Sequence, residues 1–174
     1  MNSGLVFDAP PTWWCVDFEF IRGAGERTKP VCMVAIEATN GQRICLWQDE
    51  LKALRAPPFP VDRSAIMVAY YSAAELSCFR ALGWSMPVFV FDCYVEFSRL
   101  ICGTKPLHGR GLLGALAHFG LSGITDSEKD HWRERVMAGP PYSAKERVGI
   151  LDYCAGDVDA LVRLLPHLIP GISP

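Results

Sequence analysis

The sequence predicts an α/β domain: a mixed central β-sheet flanked by helices. Three observations predict it. Three β-type runs separated by turn residues open the chain between Trp13 and Trp47. After them, short apolar runs alternate with stretches of helical spacing. The last stretch, from Ala144 onward, carries an apolar stripe long enough to cover a sheet. Hairpin-linked strands followed by helix–strand alternation combine antiparallel and parallel pairing in one sheet.

The first run, WWCVDFEF from Trp13 to Phe20, alternates so that Asp17 and Glu19 share one face while Val16, Phe18 and Phe20 take the other. A Gly- and charge-rich segment, Arg22 to Pro30, leads to a second strand, Val31 to Ala38, and Thr39-Asn40-Gly41 supplies the turn into a third, Arg43 to Trp47. A short helix follows from Asp49 to Leu54, closed by Pro57, Pro58 and Pro60. Ile66 to Ala69 reads as a strand. Ser72 is placed to cap the next helix, with Glu75 at capping-box spacing, Leu76, Phe79 and Leu82 as its apolar stripe and Gly83 as its stop.

Val88 to Phe91 is a continuous apolar run and reads as a strand buried on both faces, with Asp92 capping the helix beyond it. A loop from Gly103 to Gly111 holds Lys105, His108 and Arg110, and a small helix spans Leu112 to Phe119. Ser127 is placed to cap a charged helix reaching Ala138, which Gly139, Pro140 and Pro141 break. Ser143 and Glu146 form a second capping-box pattern, opening a final helix whose stripe is Val148, Leu151, Ala155, Val158, Val162 and Leu165.

With 174 residues, half of them hydrophobic, the chain is expected to form a single domain over 1–174. A net charge of -2 argues against a broad basic nucleic-acid surface but leaves room for binding through bound cations and local basic residues. The seven cysteines form no C-x-x-C pair and read as small core residues in a reducing, cytoplasmic compartment. Charge, Gly or Pro interrupts every apolar stretch before it could span a bilayer, so no membrane association is expected. Zinc-ligand spacing, a P-loop and a Gly-x-Ser-x-Gly elbow are all missing from the sequence.

Two carboxylates one strand repeat apart, Asp17 and Glu19, repel each other and lose hydration on burial, which a divalent cation offsets. Taken alone, the pair reads as solvated side chains on a half-exposed strand, and the rest of the chain has to carry the metal reading. On the last helix Tyr153 and Asp157 share a face one turn apart, at the border of the stripe, where they either meet the first strand or stay in solvent.

VDFEF, then AYYSAAELSCF from Ala69, then YCAGD from Tyr153 resemble the three motifs of the DEDD 3′-5′ exonucleases. The nearest form is the proofreading exonuclease domain of family A DNA polymerases, including DNA polymerase I, and the β-β-β-α-β-α-β-α order resembles that family's RNase H-like fold. The resemblance implies that Asp17, Glu19, Glu75 and Asp157 hold two divalent metal ions, Mg2+ or Mn2+. Asp17 would bridge them, with Glu19 and Asp157 on the ion beside the attacking water and Tyr153 orienting that water. It implies the tyrosine type, because the position that would carry His in the other type is Asp152.

The chain departs from the family pattern at Glu75, where Asp is usual. Glu75 is either the ligand or a helix-capping residue, and Asp92 is the alternative for the outer metal. The implied activity is release of nucleoside monophosphates from a single-stranded or frayed 3′ end of DNA, in proofreading or trimming. An RNase D-like exoribonuclease acting on RNA and an inactive nucleic-acid-binding module are the alternatives. Phe18, Phe20, Tyr71, His108, Arg110 and Lys145 are candidates for substrate contact. The chain is expected to be either a domain excised from a polymerase, or partnered by one, or a stand-alone trimming enzyme, with Pro166, Pro170 and Pro174 marking a linker or a plain terminus.

Overall fold

The computed structural model describes residues 11–22, 25, 27–122 and 126–169, the last segment by its backbone alone over 126–130. Within them the order is β1 (Thr12–Ile21), β2 (Lys29–Glu37), β3 (Arg43–Trp47), α1 (Gln48–Ala53), β4 (Ala65–Ala69), α2 (Ser72–Leu82), β5 (Val90–Asp92), α3 (Cys93–Leu100), α4 (Leu112–His118), α5 (Asp126–Met137) and α6 (Ala144–Leu168). The strands form one mixed sheet in the order β3-β2-β1-β4-β5. β2 runs antiparallel to both its neighbours, whereas β1, β4 and β5 are parallel. Tight turns suffice for the first pairings, and the parallel ones need the crossovers that α1 and α2 supply.

Strand alternation divides the core in two. Trp14, Val16 and Phe18 face α1 and α2, where Leu51, Cys78 and Phe79 close over them. Cys15, Cys32, Val34 and Val68 face the other way, towards α3, α4 and α6. Phe79 is fully buried, with ring centroids 5.9 Å from Phe18, 6.2 Å from Phe59 and 5.4 Å from Trp84. Burial of such a ring stabilises by about 2–3 kcal/mol, and here it locks α2 against β1. Among the described residues no helix is long and apolar enough to cross a membrane.

Five expectations are corrected. β5 covers only Val90–Asp92 and lies at the sheet edge, so Val88 and Val90 are exposed rather than buried on two faces. The α6 stripe is rotated: Ile150, Cys154, Val158, Leu161 and Leu165 face inward while Val148 is exposed, because the small Cys15 and Cys32 on the sheet admit Cys154. Ser72 is the first residue of α2 and not its cap, which is Tyr71, so Glu75 closes no capping box. α5 begins at Asp126, which puts Ser127 inside its first turn. Pro166 lies within α6, carried by burial of Leu164, Leu165 and Leu168, while Pro170 and Pro174 fall outside the described residues. The Ser143–Glu146 capping box forms as expected.

Glu37, 2% exposed at the end of β2, accepts N–H bonds from Trp13, Thr39 and Asn40 at 3.2, 3.1 and 2.8 Å. Burial pushes its carboxyl up, but these backbone donors outweigh that and leave it below the ordinary value. The stability it contributes is therefore present above the unfolded-chain value of about 4.5 and is lost as pH falls through the lower folded value. Glu37→Ala should cost about 2 kcal/mol at neutral pH, since water can satisfy Thr39 and Asn40 but reaches Trp13 less well. Denaturant melts at neutral pH and in acid check this, and an equal cost at both would refute the carboxylate's role.

Candidate active site

β1, β4 and β5 end at one edge of the sheet, and open parallel sheets bind ligands in the crevice outside the carboxyl ends of their strands. The last β1–β4 pair is Cys15↔Val68, so Asp17 and Glu19 stand beyond the end of β4, paired only with Val34 and Cys32 of β2. A bulge between Glu19 and Phe20 interrupts that register immediately after the site, a common device beside functional residues. Alternation sends Asp17 and Glu19 towards α6, on the same face as the buried Cys15.

The start of α2 is held by Asp92. Its Oδ2 accepts from Ser72 N–H at 2.9 Å and Ser72 Oγ–H at 2.7 Å, while its Oδ1 accepts from Val95 N–H at 3.0 Å and so caps α3. Both carboxylate oxygens are thus committed to joining two helices. One turn into α2, Glu75 is 5% exposed and its Oε2 has no hydrogen-bond partner among the described residues. Burial, then the negative charge of Asp17, and more weakly that of Asp92, hold its carboxyl well above the usual carboxylate range. A buried carboxyl with one oxygen lacking a donor and another carboxylate nearby is expensive unless protonated or bound to a cation.

α6 brings the third motif to the same place. Cys154 points into the core, and its thiol donates to Asp17 Oδ2 at 3.3 Å and to the Asp17 carbonyl at 3.4 Å. One position earlier, Tyr153 is half-buried. Burial, followed by the charges of Glu19, Asp157 and Asp17, pushes its phenol far above the ordinary tyrosine value, with Arg133 of α5 opposing. Asp157, one turn along, is likewise half-buried. Asp152 is exposed and acts on Cys45 of β3, away from this group.

The structure therefore gathers Asp17, Glu19, Glu75, Tyr153 and Asp157 around one strand end, each within electrostatic reach of another. The donor set is all hard oxygen, with the buried Glu75 Oε2 lacking a donor among the described residues, and by chemistry it fits a divalent cation. Among the described residues no three His, Cys, Asp or Glu side chains already converge as ligands of one ion, so sharing an ion requires them to draw together. Sequence reasoning missed Cys154, whose only signal was its place next to Tyr153 on the inward face, and Arg133, which had none.

The substrate-contact candidates divide. Phe18, 3% exposed, is core and cannot stack on a base. Phe20 packs against the same cluster. Tyr71 is 56% exposed at the α2 start, edge-on to Tyr94 at 5.8 Å. His108 and Arg110 are exposed, and the Arg110 carbonyl accepts from the Tyr70 hydroxyl, which ties their loop to the end of β4. Lys145 is exposed on the first turn of α6.

No protein-family model matches the chain, and no curated protein sequence matches it significantly. Among solved structures, Escherichia coli RNase D, described as an exoribonuclease involved in structured RNA processing, superposes with a TM-score of 0.56 at 18% identity, over 91% of this chain and 39% of that one. The chain thus spans well under half the length of that protein. The EXO domain of Aedes aegypti Nibbler gives a TM-score of 0.41 at 8% identity, over 90% of this chain and 80% of that one. The likeness to RNase D shows the fold, a mixed five-stranded sheet with flanking helices shared with part of that protein.

Proposed function

We propose that this chain is a metal-dependent 3′-5′ exonuclease, hydrolysing terminal phosphodiester bonds at a single-stranded or frayed 3′ end and releasing nucleoside monophosphates. The gathering of Asp17, Glu19, Glu75, Asp157 and Tyr153 at the carboxyl edge of the parallel strands carries this reading. Asp17, Glu19, Glu75 and Asp157 would hold two divalent ions, Mg2+ or Mn2+, supplying hydroxide near neutral pH and stabilising the attacking and leaving oxygens.

The residues of the chain do the remainder. Tyr153, kept neutral by burial and three neighbouring carboxylates, can donate a hydrogen bond to orient water but cannot take its proton at neutral pH. The Cys154 thiol steadies the Asp17 carboxylate. Asp92, occupied with two helix starts, holds α2 so that Glu75 faces Asp17, and this supports Glu75 over Asp92 as the outer ligand. Five of the seven cysteines are buried and all are free, which suits a cytoplasmic setting.

The motif resemblance favours DNA as substrate. The fold likeness to RNase D favours RNA as a second reading. Both are tested by digesting 5′-labelled DNA and RNA oligomers of one sequence with Mg2+ or Mn2+ and with EDTA. A metal-dependent ladder shortening from the 3′ end is expected, and the faster polymer identifies the sugar. No product from either polymer would replace the nuclease by an inactive nucleic-acid-binding module. Tyr153→Phe should lower the rate about 10- to 100-fold while leaving Mn2+ affinity, read by calorimetry, unchanged. Equal losses in both would refute its role in orienting water.

A further inference from the structure

A cleft of about 470 Å³ lies on the α2 face of the sheet, lined by Arg22, Arg27, Thr28, Ser77, Arg80 and Ala81. Arg22 follows the last residue of β1 and continues the Val16, Phe18, Phe20 alternation, so it faces α2. Arg27 precedes β2, and Ser77 and Arg80 lie on α2 past Glu75. The Thr28 and Ser77 hydroxyls, 3.0 Å apart, join the strand end to the helix. All three arginines are exposed, and among the described residues none is in an ion pair. Three guanidinium groups around one cleft, without an ion pair among the described residues, are notable in a chain of net charge -2, and their planar fork suits phosphate oxygens.

The cleft is built from the two elements that carry the carboxylates, β1 and α2. Arg22 lies three residues beyond Glu19, about 10 Å along a strand and on the opposite face, so a bound strand would reach both by passing over the part of β1 that β4 leaves uncovered beyond Cys15. We propose that this cleft is a second subsite which binds non-scissile backbone phosphates of a single-stranded nucleic acid whose 3′ end reaches Asp17 and Glu19. The identity of the ligand rests on the nuclease reading. Backbone contacts of this kind hold register without reading sequence, so the cleft sets how many nucleotides the enzyme grips ahead of the cut.

The test is fluorescence anisotropy of a labelled short oligothymidylate with the full chain in EDTA, over a salt series, alongside the cleavage assay. Arg22→Gln, Arg27→Gln and Arg80→Gln combined should weaken binding about tenfold or more at low salt. The slope of log affinity against log salt should become shallower by about 2, the value for three lost contacts to a single strand. Arg55→Gln, at an exposed arginine outside the cleft, should change neither. Wild-type affinity and slope in the triple variant, or no binding by the unaltered protein, would overturn the subsite. Arginine-dependent binding without cleavage in Mn2+ would instead refute the nuclease and leave the cleft standing. Cleavage with binding indifferent to the arginines refutes the cleft alone.

Discussion

Asp17→Ala is expected to lower 3′-end hydrolysis about a thousandfold or more while leaving the metal-free protein as stable as before or slightly more so. Asp17 is placed against both other motifs: its charge raises Glu75, and its Oδ2 accepts from Cys154 of α6. On the proposed function, removing it takes away a shared metal ligand, and the remaining carboxylates cannot make up for a lost charge at that position. For stability, two effects compete. The variant loses a thiol hydrogen bond, which is weak, and sheds repulsion with a carboxyl that is nearly desolvated, the larger effect. Oligomer digestion and thermal melts in EDTA measure the two sides. Turnover within tenfold of the unaltered protein would remove Asp17 from the site.

Glu75→Gln and Asp92→Ala should behave in opposite ways. The Glu75 carboxyl sits well above its unfolded-chain value, so the stability linked to it is fully present below about pH 4.5 and is lost as pH rises through the folded value. In EDTA the unaltered protein should therefore lose stability relative to Glu75→Gln as pH rises. Added Mn2+ should raise the melting temperature of the unaltered protein and do so far less in the variant. Activity in Glu75→Gln should fall about 100-fold or more.

Asp92→Ala, by contrast, deprives Ser72 N–H, Ser72 Oγ–H and Val95 N–H of their acceptor. It should cost about 2 kcal/mol while keeping the Mn2+ response. If the Mn2+ response vanishes with Asp92 and survives the loss of Glu75, the outer ligand is Asp92.

Much of this architecture could be read from the chain because local chemistry and tertiary demand coincide there. β3 is bounded by a turn before it and a helix after it, and it spans Arg43–Trp47 as predicted. Ser143 and Glu146 cap α6 because both partners lie within one turn and need nothing distant. The Asp17–Glu19 pair was visible through strand alternation, and Tyr153 with Asp157 through helical spacing. Misreadings arose where a distant partner overrides the local pattern. Ser72 and Glu75 have capping-box spacing, yet Asp92, twenty residues on, takes both Ser72 donors. Val88 to Phe91 is apolar throughout, but its place at the sheet edge leaves one side in solvent.

The sequence by itself determined the order of strands and helices, the carboxylates available and the elements that carry them, because periodicity and turn chemistry act over a few residues. Tertiary structure alone decided that Glu75 is buried against Asp17 while Asp92 is consumed by two helix starts. It alone decided that Cys154 faces Asp17, and that Arg22, Arg27 and Arg80 line one cleft. Burial and charge repulsion depend on distances through space, and those exist only once β1, α2 and α6 have packed.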